Sequence, residues 1–435
     1  MADLPVFFEQ RLVGTVDVGA DGPGFVYDRK WIETRGAFPI STTMPLGPGR
    51  VAAGRFVTWA ANLLPESEQL RAVGQFLGMA PGDVIGLLSA IGRDTAGALS
   101  FGKPGGTSPV YWRPVDKPDD LERIIEDLPR KPFLVGDEGV SMSLAGVQSK
   151  LAVAVDGTGR ICIPIGGSPS THILKPDAER LVGGVHNEAF CLTLARRLGV
   201  TTPEVTTGKA GKRTFLLVKR YDRVQAGDRW RRVHQEDFCQ ALGKPPAAKY
   251  ESNQTGVRGP SLDDMFDLTR RLMPPTEILR LLDQVIFNVI ACNTDAHAKN
   301  YSVLIRAGGV SLAPLYDVMC ADVWAHVTRN LAQKVGGNGR GEDLNGGDWQ
   351  RFARGGGLGA QPVLGRVREL AQAAVSAAVP AATEVAAMPG GDHVVLDATR
   401  AAVERRAHAL LARVEQIAGE PEARTEDGAP RAVPG

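Results

Sequence analysis

The sequence has little that would tie it to a membrane, a disulfide scaffold or bulk nucleic acid. Its five cysteines (Cys162, Cys191, Cys239, Cys292 and Cys320) are scattered, no two form a Cys-x-x-Cys pair, and the count is odd. Both features argue against a disulfide framework and favour a reduced, cytoplasmic setting. Formal net charge is only +1, so no global field draws the chain to DNA, RNA or an anionic bilayer. No apolar run approaches the roughly 20 residues of a membrane span. The opening residues Met1-Ala2-Asp3-Leu4-Pro5 lack the basic-then-apolar pattern of a secretory signal. There is no Gly-x-Ser-x-Gly elbow of a hydrolase and no internal repeat.

What is present is 435 residues, 43% of them hydrophobic, enough for about two or three domains at roughly 150 residues each. Residues 4–18 alternate apolar and polar and read as a hairpin. The Pro/Gly-rich run 39–54 reads as loop, 60–77 as a helix, and 103–109 as a boundary. A strand-rich block follows. Leu151–Val155 and Ile161–Ile165 flank the turn Asp156-Gly157-Thr158-Gly159, and Thr171–Lys175 and Thr214–Lys219 add two strands. Between them, Asn187–Leu198 reads as a helix with Asn187 as N-cap and Gly199 beyond its end. The third block is helical. Glu277–Cys292 is strongly amphipathic, and 363–376 and 395–417 read as two helices separated by Pro and Gly signals. The charged, Pro-rich residues 420–435 read as a disordered tail.

The amphipathic stretch runs straight into Asn293-Thr294-Asp295-Ala296-His297-Ala298-Lys299-Asn300, and a short hairpin then leads to Tyr316-Asp317. A carboxylate, an Asn five positions later and a second carboxylate past a hairpin is the layout of a phosphotransfer site. Asp295 would orient the attacking hydroxyl, while Asn300 and Asp317 would hold Mg²⁺ against the phosphates of ATP. His297 would brace this loop or touch phosphate; a metal role is disfavoured because Mg²⁺ prefers oxygen ligands. Lys299 would neutralise charge on the transferred group. Lys175, ending an apolar strand, can reach phosphates if a carboxylate orients it, and Glu188 is the nearest candidate. Lys150 competes with it, and spacing does not decide between them. The segment Ser141–Lys150 holds one glycine, so by spacing it is neither a Gly-x-Gly-x-x-Gly nor a Walker loop. Arg229-Trp230-Arg231-Arg232 reads as a solvated hairpin rather than a nucleic-acid contact.

Taken together, Ser143–Lys150, Thr171–Pro176, Arg220-Tyr221-Asp222-Arg223, His234–Gln240, Lys249-Tyr250-Glu251, Asn293–Asn300 and Pro314–Val318 resemble the HipA family of serine/threonine-protein kinase toxins. Asn62-Leu63-Leu64-Pro65-Glu66 and Ile91–Ala98 are similar to its N-terminal pieces. The resemblance implies an α+β, two-lobed kinase fold. Its parts would be an N-terminal subdomain (1–108), a mixed α/β kinase N-lobe (109–260), a mainly α-helical C-lobe (261–418) and a tail (419–435). It implies ATP and Mg²⁺. It makes Ala145, Gly146, Val147, Gln148, Ser149 and Lys150 the nucleotide loop and Lys219, Arg220 and Tyr221 the hinge beside adenine. His297, Ala298, Lys299, Asn300, Tyr316 and Asp317 would line the phosphates, with Asp295 as base and Lys175 as phosphate lysine. Ser143 matches the serine that family members autophosphorylate, which displaces that loop.

The resemblance further implies a small helix-turn-helix antitoxin (HipB-like) as partner, DNA contact only through it, and a protein substrate such as an aminoacyl-tRNA synthetase. A non-catalytic co-repressor and a metabolic or lipid kinase are the alternatives. Ser149 and Lys219 stand where acidic residues are common, and Cys320–Gly347 follows the family loosely, apart from the similar Leu331–Gly337.

Overall fold

The alternation at the N-terminus does build a hairpin, Leu4–Phe8 with Arg11–Gly19, and this hairpin is the centre of a larger sheet. Gly22–Tyr27 and Arg50–Val51 extend it on one side and Leu99–Phe101 on the other, giving five strands. The computed structural model describes residues 3–106, 110–227 and 229–416. The expected tail at 420–435 lies outside them.

The helix expected over 60–77 is two helices, Ala53–Ala61 and Ser67–Leu77. The break is Asn62-Leu63-Leu64-Pro65-Glu66, where Pro65 lacks the N–H that a continuing helix needs. Leu63 and Leu64 are buried, so the segment is a packed connection rather than a solvated loop.

A second sheet of six strands carries the block read as strand-rich. Its order is Val205–Ala210, Arg213–Lys219, His172–Pro176, Leu151–Val155, Ile161–Pro164, Trp112–Pro114. Lys175 pairs with Leu216 across the central strands, with Leu174 and Leu216 fully buried beside it. The helix against this sheet is Gly184–Arg197, so Asn187 lies inside it and is not its N-cap. The Asn187 side chain instead accepts from Cys320 N (2.8 Å) and donates to Cys320 O (3.1 Å), pinning the chain just beyond Asp317. Gly199 sits at φ +81 past the helix end, the left-handed conformation that Gly adopts without a Cβ clash.

The C-terminal part is helical, with Leu262–Leu272, Pro275–Ile290, Gly346–Gly355, Ala360–Ala386 and Val395–Arg413. In Pro275–Ile290 the residues Leu281, Leu282, Val285, Ile286, Val289 and Ile290 form the buried stripe, and each contributes about 1.5–3 kcal/mol of transfer free energy. The helix stops at Ala291, and Cys292 takes a left-handed turn (φ +55) into the polar loop. The two helices expected over 363–376 and 395–417 differ from those seen, because the first runs on through Pro380 to Ala386. An interior proline costs about 3 kcal/mol, and the buried Ala378, Ala381 and Val385 around it show the packing that offsets it.

The N-terminal sheet is joined to the rest by a buried ionic cluster. Asp94 accepts from Arg223 at 2.7 Å and from Ser170 N at 3.0 Å, with Arg232 3.4 Å away. Burial alone would raise the Asp94 pKa; Arg223, Arg232 and Arg220 outweigh it and hold it below the usual carboxylate value. Arg220 donates to Asp222, Ser170 and Thr95 O, so this side chain is committed to the cluster and not to the hinge cleft. Removing one member of such a cluster leaves an uncompensated buried charge, typically about 3–5 kcal/mol.

Candidate active site

Four segments converge on one mouth. The strand His172–Pro176 brings Lys175, the helix Gly184–Arg197 brings Glu188, the loop after Pro275–Ile290 brings Asp295 and Asn300, and the hairpin Ser302–Arg306/Gly309–Leu312 returns the chain to Asp317. Lys175 Nζ donates to Glu188 Oε1 at 2.6 Å and to Asp317 Oδ1 at 2.7 Å. Burial would lower the Lys175 pKa, but the two carboxylates outweigh it and hold it above the usual lysine value. Burial dominates at Glu188 and raises it. Asp317 is held below the ordinary carboxylate value, burial being overcome by Lys175 and Lys150. Asp317 also sits at φ +58, a conformation few non-glycine residues adopt, and such strain gathers at functional sites.

Lys150 is the other cation here, and its environment differs. Its ammonium donates to Ala145 O at 2.7 Å and forms no ion pair among the described residues. Burial, with Lys175 nearby, pulls its pKa down to about 8 even though Asp317 pulls the other way. Lys175 is already shared between two carboxylates, whereas Lys150 is a buried cation with donors to spare.

Asp295 is exposed at the mouth while packed by protein on its inner side. Its pKa is raised, first by that desolvation and then by Asp317; the Tyr250 hydroxyl, which donates to Asp295 Oδ1, offsets part of this. Asn300 Nδ2 donates to Asp295 O at 2.8 Å, which fixes the amide and leaves its oxygen without a donor among the described residues. Asp317 Oδ2 is likewise without one. Two such oxygens suit a hard cation such as Mg²⁺. Among the described residues no group of three or more His, Cys, Asp or Glu side chains has metal-holding geometry, so phosphate and water oxygens would complete the shell. His297 is buried beneath the loop, and its pKa is well below the usual value because of burial and Lys249.

The segment Ala145–Lys150 lies across this mouth and is tied down by the break between the two N-terminal helices. Glu66 N donates to Gly146 O at 3.1 Å, Gln69 Nε2 to Val147 O at 2.7 Å and Ser143 Oγ to Leu63 O at 2.8 Å. Gly146 has φ +111, and a Cβ there would lie 2.6 Å from Lys150 Nζ, so only glycine leaves the loop room to fold over the lysine. Gln148 and Ser149 are half-buried in it. Ser143 itself is fully enclosed.

Lys299 is corrected. Its ammonium spends its three donors on Asn62 O (3.0 Å), Asn62 Oδ1 (2.8 Å) and Asp237 Oδ2 (2.8 Å), so it braces the loop from beneath and has no N–H left for a phosphoryl group. Ala298 is backbone-anchored, its N–H donating to Lys249 O at 3.1 Å. Tyr316 donates to Lys299 O at 2.7 Å and packs against Tyr221, ring centroids 5.7 Å apart. Lys219 turns outward to Glu204 at 2.9 Å, so only its backbone faces the strand junction. Sequence reasoning assigned no role to Tyr250 or to the Lys249–Glu66 pair (2.7 Å). The Lys249-Tyr250-Glu251 motif was the available signal.

With this geometry in hand, the comparisons are specific. The HipA-like C-terminal domain matches residues 142–378 and the HipA N-terminal domain residues 4–102. The chain belongs to the HipA family. It is 36% identical over 386 residues to the Sinorhizobium fredii protein Y4mE, covering 86% of this chain and 90% of that one. It is 33% identical over 330 residues to the serine/threonine-protein kinase toxin HipA of Shewanella oneidensis, covering 73% of this chain and 75% of that one. Among solved structures, a chain of the Shewanella oneidensis MR-1 toxin–antitoxin complex of HipA, HipB and operator DNA superposes with a TM-score of 0.84. That match is at 27% identity and covers 95% of this chain and 99% of that one. The α+β, two-lobed HipA-like architecture follows from that superposition. Among the described residues no helix is long and apolar enough to cross a membrane.

The shared ammonium of Lys175 makes a stability prediction. Lys175→Met should cost about 3–5 kcal/mol in urea unfolding, because two carboxylates then face each other without a cation. Adding Glu188→Gln should recover part of that loss, and strict additivity of the two changes would contradict the coupling.

Proposed function

We propose that the chain is an ATP- and Mg²⁺-dependent serine/threonine protein kinase of the HipA toxin type. The observation that carries this reading is the Lys175 ammonium bridging Glu188 and Asp317 at the same mouth as Asp295 and Asn300. ATP with Mg²⁺, when bound, supplies the transferable phosphoryl group. Lys150, which forms no ion pair among the described residues, and the backbone of Ala145–Lys150 would hold the phosphate oxygens. Asn300 and Asp317 offer the metal oxygens. Asp295 would accept a hydrogen bond from the acceptor hydroxyl, fix its direction of attack and take its proton as the new phosphorus–oxygen bond forms, while the bond from the γ-phosphorus to the β–γ bridging oxygen breaks and ADP leaves. Little covalent work falls to the protein, so orientation and charge neutralisation carry the rate.

The Tyr221 backbone region beside Tyr316 is our candidate for the adenine side. Ser143 is our candidate for autophosphorylation. Its hydroxyl is enclosed and bonded to Leu63 O, so a phosphate cannot be accommodated in place. Modification would require the loop to leave its position, and two added charges there would disfavour ATP. By likeness to the Shewanella complex, we take a HipB-like antitoxin as the partner, with operator DNA reached through it. A translation protein such as an aminoacyl-tRNA synthetase is the candidate substrate, in a cytoplasmic setting.

Incubating the pure chain with Mg²⁺ and γ-labelled ATP should place label on Ser143, and Asp295→Ala should abolish it while the melting curve stays cooperative. Undiminished labelling of Asp295→Ala would remove Asp295 from the base role.

The pH dependence has a definite sign. A base works only when deprotonated, so kcat/KM should rise as pH climbs through the elevated pKa of Asp295. Phosphate binding favours the charged Lys150. That contribution is complete below its pKa in the free protein and is lost as pH rises through about 8. Lys150→Arg stays charged throughout and should remove the alkaline limb alone. A limb near 8 that survives in Lys150→Arg would contradict the assignment.

A further inference from the structure

A cavity of about 580 Å³ opens beside Asp295. Its lining includes Asp295 and Tyr250 but no residue of Ala145–Lys150, and neither Lys175, Tyr221 nor Asp317. Its walls are mostly apolar, built from Leu181, Met319, Trp324, Val327, Leu331 and Ala332, with Lys334 as a cation at the wall. The volume lies within the roughly 300–1,000 Å³ typical of ligand pockets.

These walls are held in place. Trp324 Nε1 donates to Val182 O at 3.3 Å, and its loop is anchored by Ala321 N to Cys292 O at 3.1 Å and by Arg329 to Asp322 at 2.7 Å. The opposite wall is the hairpin Asn330–Val335/Asn338–Arg340. Glu251 N donates to Ala332 O at 3.0 Å and Lys334 N to Glu251 Oε2 at 2.6 Å, so this hairpin is tied directly to the Tyr250 segment. Most of the lining falls within residues 320–347, the stretch that follows the family loosely.

We propose that this cavity is the acceptor-side specificity pocket, receiving an apolar side chain of the protein substrate within a few residues of the phosphorylated Ser or Thr. The inference rests on the kinase reading above. The acceptor hydroxyl must reach Asp295 from a side that the nucleotide segments do not line, and this cavity is the space that shares Asp295 with them. A chain entering it meets an apolar chamber, and Lys334, which forms no ion pair among the described residues, favours a carboxylate beside the apolar residue.

The test is a serine-centred peptide library presented to the full chain with ATP and Mg²⁺, scored against Ser143 labelling in the same tubes. Peptides with Leu, Met or Phe at one fixed flanking position should exceed their glycine counterparts by about 10-fold or more in kcat/KM, carried mainly by KM. Two variants bear on the pocket from opposite directions. Trp324→Ala enlarges it. Gly339→Phe adds bulk at its wall, where a Cβ meets only Lys334 Cγ at 3.8 Å. Each should shrink the apolar-to-glycine ratio, and melting curves report whether each variant folds. Labelled Ser143 with no flanking preference, or a preference unchanged in both folded variants, would overturn the inference. Absence of label on Ser143 and on every peptide would instead overturn the kinase reading, and this inference with it.

Discussion

The structure turns on one ammonium group. Lys175 lies in the middle of a buried sheet, and its charge is balanced only because Glu188 from the helix behind and Asp317 from the loop in front both reach it. Burial by itself would favour the neutral form of Lys175, and the two carboxylates reverse that preference. That pairing ties the six-stranded sheet to the helical part. It also fixes Asp317 in a backbone conformation costing of order 1–3 kcal/mol. Lys150, beside this pair, donates to Ala145 O and forms no ion pair among the described residues.

The N-terminal part of the chain takes part in this site through the connection between its helices Ala53–Ala61 and Ser67–Leu77. The break Asn62–Glu66 touches both the Ala145–Lys150 segment and the Asp295 loop. Its backbone receives Ser143 and holds Gly146, and Asn62 receives Lys299 from beneath the Asp295 loop. The buried cluster around Asp94 then clamps this layer to Arg220, just past the strand Arg213–Lys219, and to Arg223. The segment Ala145–Lys150 and the loop of Asp295 are thus braced by the same short stretch of chain.

Local chemistry was readable where the signal is local. The N-terminal hairpin, the strand of Lys175, the helix feeding Asn293 and the Lys175–Glu188 pairing all follow from periodicity, turn residues and short spacing. Lys299 was misjudged because its partners Asn62 and Asp237 are remote in sequence, and no spacing reveals that its donors are spent. Pro380 misled for a related reason: tertiary packing of small residues overrides a local penalty. Tyr250 and the cavity beside Asp295 stayed hidden because they exist only where the hairpin Asn330–Val335/Asn338–Arg340, the Trp324 loop and the Tyr250 segment meet.

In the proposed kinase, Asp317, oriented by Lys175, would hold a divalent cation against nucleotide phosphates. Calorimetric titration of the purified chain with ATP, with and without Mg²⁺, tests it without relying on turnover. Mg²⁺ should tighten binding severalfold in the unaltered chain, and Asp317→Ala should lose that gain while still folding. An Asp317→Ala protein that keeps the full Mg²⁺-dependent gain would contradict it.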